Sequence, residues 1–166
     1  GKSYGSASEG SAFLHGKEIE LSSPADAIKK GIGYVSEDRK SLGLILIQTI
    51  KNNISNSSLP HLSRWGIVDE NKVVAEAERY RKALNIKTPS IMQLVRNLSG
   101  GNQQKVVLSR SLLAEPEIFI VDEPTRGIDV GAKYEIYTIL NELASQGKSI
   151  IMITSELPEA IGMADR

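Results

Sequence analysis

Two apolar strands joined by one amphipathic helix constrain this chain more than any other feature. "EIFIVDE" (117–123) and "SIIMIT" (149–154) each place four apolar residues in a row, the pattern of strands buried on both faces. Between them, "VGAKYEIYTILNELASQG" carries Ile136, Ile139, Leu140 and Leu143 on one stripe, with Gly147 as its stop. Buried strands connected through a helix of this length form a βαβ unit, so an α/β fold with a parallel sheet is expected. Ligands of such sheets bind beyond the carboxyl ends of the strands. The first strand ends there in two adjacent acids, Asp122 and Glu123.

The preceding segments fit the same architecture. "SAFLHGKEIEL" reads as two short strands turning at His15-Gly16-Lys17. "SSPADAIKKG" is a short helix with Ser23 as N-cap, Pro24 at its first position, Asp26 completing a capping box and Gly31 at its end. "IGYVSE" is a further buried strand. Residues 38–98 change character: a polar segment, a short apolar run "LILI", an Asn/Ser-rich loop, then a helix over about 70–84. That helix has Asp69 as N-cap and Val73, Ala77, Tyr80 and Leu84 on one stripe. This gives three parts: 1–37 of the core, a mostly helical insertion over 38–98, and 99–166 of the core. "GGNQQKVVLSRSLLA" is helical and stopped by Pro116.

Charge and composition exclude little but tilt the choice of partner. Lys+Arg and Asp+Glu are both 20, which argues against nucleic acid as a partner, since phosphate backbones select basic surfaces. With no cysteine, disulfides and thiolate metal sites are excluded. No apolar run approaches the roughly 18 residues of a membrane-spanning helix. The opening Gly1-Lys2-Ser3 copies the end of a phosphate-binding loop. The residues after it lack the apolar period of the helix such a loop requires, so it reads as connecting chain.

Two stretches carry chemistry. At the end of its strand Asp122 is placed to hold the water shell of Mg²⁺, which takes few carboxylates plus phosphate oxygens. Glu123 is placed to accept a proton from an attacking water; a solvated turn before Pro124 is the alternative. Ser99, Gly100 and Gly101 open a helix whose free N–H groups face outward, with no side chains on the glycines to hold off a phosphate. A plain N-cap is the alternative there.

Taken together, "LSGGNQQKVVLSRSLLAEPEIFIVDEPTRGID" (98–129) resembles the signature-to-Walker-B stretch of ATP-binding cassette (ABC) ATPases. Leu98-Ser99-Gly100-Gly101 matches the signature, with Asn102 where Gln is commonest. Ile118 to Glu123 looks like Walker B, and Thr125 to Asp129 like the following D-loop. "GYVSEDRKSLGL", "LSGGNQQK", "DEPTRGIDVGAK" and "ITSELPEA" look like the second cassette of tandem-cassette bacterial importers of ribose, xylose or galactose type. The resemblance implies a partial P-loop NTPase domain whose Walker A strand and loop are missing upstream of Gly1, inactive as an isolated fragment. It implies ATP and Mg²⁺ as cofactors, with Asp122 toward the metal and Glu123 and Ser155 catalytic. Ser99, Gly100, Gly101, Asn102, Glu37 and Asp129 would contact nucleotide. The implied partners are a second cassette, transmembrane permease subunits and, indirectly, a sugar-binding protein, at the cytoplasmic face of the membrane.

The sequence departs from the family at two positions. Glu37 stands near the usual metal-touching Gln, and Ser155 stands where the family has its switch His. Serine donates a hydrogen bond but carries no imidazolium charge. The resemblance therefore implies an asymmetric pair, in which this cassette lends a working signature to its partner and keeps a slower site of its own. A non-hydrolytic regulatory cassette is the alternative, and a soluble ABC protein acting on nucleic acid or ribosomes a more distant one. "LGLILIQTIKNNIS" (42–55) lies where the family meets its membrane subunits; Leu44 to Ile47 is either part of that groove or a core strand. "DRK" adds two basic side chains beside that groove, with a solvated turn as the alternative reading.

Overall fold

The computed structural model describes residues 10–165, so Gly1-Lys2-Ser3 lies outside it. Strands β1 (Ala12–Leu14) and β2 (Lys17–Ile19) form an antiparallel hairpin. Its two-residue turn holds His15 (φ 51°) and Gly16 (φ 73°) both in the left-handed region, the geometry that matches strand twist. Helix α1 (Pro24–Lys29) starts where Ser23 Oγ accepts the Asp26 N–H at 3.2 Å. The expected capping box is displaced by one residue: the Asp26 carboxylate accepts the Ser22 N–H, not that of Ser23.

Strand β3 (Ile32–Val35) leads to a π-helical turn (Arg39–Gly43) capped by Asp38, then to α2 (Ile50–Ser55). Leu44 to Ile47 is not a strand. It is a turn that buries Leu44 and leaves Ile45 and Ile47 exposed. The buried Asn53 side chain clamps it, accepting the Ile45 N–H at 2.7 Å and donating to the Ile45 carbonyl at 3.0 Å. A small hairpin, β4 (Ser63–Arg64) and β5 (Ile67–Val68), precedes α3 (Glu70–Ala83). Asp69 caps α3, and Val73, Ala77, Tyr80 and Leu84 are buried as their spacing predicts.

A 3-10 turn (Val95–Asn97) then leads into α4 (Gly100–Leu112). It is followed by β6 (Ile118–Asp122), α5 (Val130–Ser145), β7 (Ser149–Ile153) and α6 (Leu157–Met163). β6 lies between β3 and β7 in a three-stranded parallel sheet, with Val35 opposite Val121 and Asp122 opposite Ile153. The βαβ expectation is met by β6, α5 and β7. Burial is less complete than the apolar runs suggest. Phe119 and Val121 of β6 are fully buried, but Ile151 and Ile153 of β7 are about half exposed. β7 pairs only with β6 among the described residues and has α5 against it, so its other face stays open.

One buried core runs from β3 to α5. Ile50, Ile54, Val73 and Ala77 join Val106, Leu108, Phe119 and Ile136 in a single cluster. Each fully buried Ile, Leu, Val or Phe contributes roughly 1.5–3 kcal/mol relative to exposure. Helix α4 is the element that holds the parts together, touching α2, α3, α5 and β3.

Candidate functional site

The carboxyl end of β6 places two acids in different environments. Asp122 Oδ2 accepts the Tyr34 hydroxyl from β3 at 2.7 Å. Burial, and then this neighbouring carboxylate, push the Tyr34 phenol above its ordinary pKa, so it stays a donor. Glu123 adopts φ 46°, a left-handed conformation that costs a non-glycine residue of order 1–3 kcal/mol. The surroundings impose it: the Glu123 N–H donates to the Ile153 carbonyl at 2.8 Å, and its carbonyl accepts the Arg126 N–H at 3.1 Å. Its side chain turns to the loop after β7, where Oε1 accepts the Ser155 N–H at 2.6 Å.

Glu123 and Ser155, named independently from the sequence, are therefore in direct contact. The contact uses the Ser155 backbone, a property any residue at 155 would share. Oε1 of Glu123 is thus fixed, while Oε2 has no hydrogen-bond donor among the described residues. Glu37 is engaged with Arg126 Nη1 at 2.5 Å, so the carboxylate that would repel a phosphate carries its own countercharge.

The start of α4 is built more tightly than a flexible glycine loop. Asn102 Oδ1 accepts the Lys87 N–H at 2.8 Å, and its Nδ2 donates to Ser99 Oγ at 2.9 Å. Asn102 thus spends its amide on its own chain and fills an acceptor position on Ser99, leaving the serine hydrogen to donate elsewhere. Ser99 is exposed, while Gly101 is buried. A Cβ on Gly101 would fall 2.5 Å from the Ala132 Cβ of α5. The second glycine is thus required by the approach of α4 to α5. A Cβ on Gly100 would fall 3.0 Å from Arg39 Nη2.

Arg39 is not part of a solvated turn. Its guanidinium donates to the Arg126 carbonyl at 2.7 Å and to the Gly127 carbonyl at 3.2 Å. It joins the π-helical turn to the loop after β6, beside the glycines of α4. Desolvation pulls its pKa below the ordinary arginine value. Asp129, expected to contact nucleotide, caps α5 by accepting the Ala132 N–H at 2.9 Å.

Two buried charges escaped the sequence reading. Lys105 of α4 is 1 % exposed, and its ammonium donates to the Asn85 carbonyl at 2.9 Å and to Glu135 at 2.7 Å. Lys105, then Lys87, hold the Glu135 carboxyl below its ordinary pKa. Glu159 of α6 is 5 % exposed and accepts hydrogen bonds from Thr125, Tyr137, Thr154 and Lys133. Burial pushes its carboxyl up, but these four donors outweigh burial and lower it to about 2. A buried acid held between two helices and two loops is the signal, and it is visible only in three dimensions.

Known proteins resemble this chain in both sequence and fold. Residues 4–126 match the ABC transporter family. An L-arabinose transport ATP-binding protein of Geobacillus stearothermophilus is 57 % identical over 166 residues, all of this chain and 32 % of that protein. A xylose import ATP-binding protein of Thermoanaerobacter pseudethanolicus is 53 % identical over 95 % of this chain and 31 % of its own length. A ribose import ATP-binding protein of Clostridium tetani is 49 % identical over 96 % and 32 %. The chain spans about a third of the length of these curated relatives. Among solved structures, a nucleotide-free ATP-binding cassette from an ABC transporter superposes with TM-score 0.79. That match covers 96 % of this chain and 64 % of the other, at 20 % identity, a likeness of fold. With an α/β fold built on a parallel sheet and a family match over residues 4–126, the chain belongs to the ABC transporter family.

Proposed function

We propose that this chain is part of the ATP-hydrolysing subunit of a monosaccharide importer, from its second cassette. The observation that carries the proposal is Glu123 at the carboxyl end of β6, beside Asp122 and fixed by the Ser155 N–H. A carboxylate so placed acts as general base toward a water attacking a phosphoryl group. The relatives whose names specify arabinose, xylose or ribose transport support the substrate class.

The donor set at Asp122 fits Mg²⁺, which keeps several waters and takes one or two carboxylates with phosphate oxygens. Asp122 supplies one carboxylate, and Tyr34 holds its Oδ2. When bound, the ion neutralises phosphate charge. The chain's own residues do the rest. Glu123 accepts the proton, Ser155 fixes Glu123, and Ser99 donates its hydroxyl toward nucleotide held by a second cassette, with Asn102 setting its orientation. The 38–98 insertion faces the permease subunits. Its exposed Ile45 and Ile47, and a groove of about 280 Å³ lined by Ile45, Gln48, Asn52 and Val68, support this. The cassette pair sits at the cytoplasmic face and receives sugar from a binding protein.

One observation favours the regulatory alternative: Ser155 holds Glu123 through its backbone and brings no imidazolium. The test is ATP turnover and uptake of arabinose, xylose or ribose by the full-length protein assembled with its permease. Sugar-stimulated turnover is expected, and its absence for all three sugars contradicts the proposal.

A further inference from the structure

Helix α6 is inside out by hydropathy. Leu157 and Ile161 are 70 % and 74 % exposed, while Glu159 between them is 5 % exposed. Burying a carboxylate in preference to two aliphatic side chains costs free energy unless the acid's lone pairs are filled. Both oxygens are engaged, by four donors that come from different parts of the site. Oε1 accepts from the Thr125 hydroxyl, from the Tyr137 hydroxyl at 2.5 Å and from Lys133 at 3.3 Å. Oε2 accepts from the Thr154 hydroxyl at 2.7 Å.

Thr125 lies two residues beyond Glu123, and Thr154 immediately precedes Ser155. One carboxylate therefore holds the loops that follow β6 and β7. The bond to Thr154 continues into the backbone, because Thr154 Oγ1 also accepts the Glu156 N–H at 3.1 Å. The next amide back, Ser155 N–H, is the one that fixes Glu123. Lys133 reinforces the loop by pairing with Glu156 at 2.5 Å. The charged or titratable groups facing Glu159 are thus Lys133 and Tyr137 of α5, with Glu156 sharing Lys133.

We propose that Glu159 is a positioning residue for Glu123, acting through the Thr154–Glu156 loop and touching neither nucleotide nor metal. The proposal rests on reading Glu123 as the base. Glu159 sets the direction of the Ser155 N–H, and that amide sets the Glu123 carboxylate. Glutamine at 159 would preserve most of this. Its amide oxygen would accept from Thr125 and Tyr137, while its amide nitrogen would donate to Thr154 Oγ1, a hydroxyl with two acceptor positions. Alanine would release both loops.

The test uses the full-length protein with the corresponding acid of its other cassette replaced by Gln, so that only this site turns over. Glu159→Ala, Glu159→Gln and Thr154→Val are compared by ATP kcat, by KM and by hydrogen exchange at the Ser155 amide. Glu159→Ala is expected to lower kcat at least about tenfold, within the ~10²-fold that a misplaced group can cost, with KM unchanged. The Ser155 amide is expected to exchange about tenfold faster, the effect of one ordinary hydrogen bond, while the Val121 amide of β6 keeps its protection. Glu159→Gln restores both. Thr154→Val breaks only the relay and carries the test if the alanine variant does not fold. A lower melting temperature with unchanged kcat and unchanged Ser155 exchange would overturn the proposal. If the parent itself shows no turnover, the hydrolytic reading fails, and Ser155 exchange alone decides whether Glu159 positions the loop.

Discussion

Gly101→Ala separates two explanations of the paired glycines at the start of α4. An added Cβ would lie 2.5 Å from Ala132 Cβ and 3.8 Å from Ala132 Cα. Non-bonded carbons settle ~3.5–4.0 Å apart, so α4 and α5 would have to separate by about 1 Å or more. Overpacking of this kind costs ~1–3 kcal/mol. Ala132→Gly removes the obstructing carbon at a helix-propensity cost of roughly 1 kcal/mol. The Asp129 cap is untouched, because it uses the Ala132 backbone. The double variant should therefore be more stable than the sum of the single variants predicts, with a coupling of ~0.5–3 kcal/mol. Urea unfolding of the full-length protein, with ATP turnover measured on the same samples, tests this. The packing explanation is refuted if Gly101→Ala unfolds at the parental urea concentration while turnover collapses and Ala132→Gly restores nothing. The glycine would then be needed by a bound group and not by α5.

Acid should weaken the fold through Glu159. Its folded pKa of about 2 lies below the ordinary 4.5, so the unfolded chain takes up the proton first as pH falls. The stabilisation is complete above pH 4.5 and is lost between there and pH 2. It amounts to about 3 kcal/mol at 1.36 kcal/mol per unit, so urea midpoints of parent and Glu159→Gln should converge as pH drops through that window. Lys105→Met should cost about 1–3 kcal/mol by leaving the Asn85 carbonyl without its donor, with Glu135 retaining Lys87; thermal unfolding measures it. Asn102→Ala should lower turnover at the partner's site while moving the urea midpoint by no more than ~1 kcal/mol, since its hydrogen bonds are exposed.

The periodic parts of this fold were legible from sequence. The stripe Val73, Ala77, Tyr80, Leu84 buries as its spacing requires, because local pattern and tertiary demand agree there, whereas β6 buries Phe119 and Val121 fully and leaves Ile118 and Ile120 half-buried. The hairpin turn at His15-Gly16 is likewise local chemistry. What remained hidden was set by long-range contact. Arg39 finds its carbonyl partners 87 and 88 residues away, so "DRK" offers no local sign of them. Glu159 was invisible for a stronger reason: hydropathy would turn Leu157 and Ile161 inward, and hydrogen bonding overrules it. Glu123 and Ser155 were each named from sequence, yet their contact depends on the parallel register that sets Asp122 opposite Ile153. Gly101 was recognised but given a phosphate, when its neighbour is Ala132.

Whether Glu123 hydrolyses ATP can be measured directly. In the full-length protein whose other cassette has Gln for its corresponding acid, steady-state ATP turnover should persist, slower than in the parent. Adding Glu123→Gln should then lower that turnover on the order of 10²-fold or more, the loss expected for a general base. Residual turnover that is unchanged by Glu123→Gln, or absent before it is introduced, would make this cassette a regulatory partner and contradict the hydrolytic role.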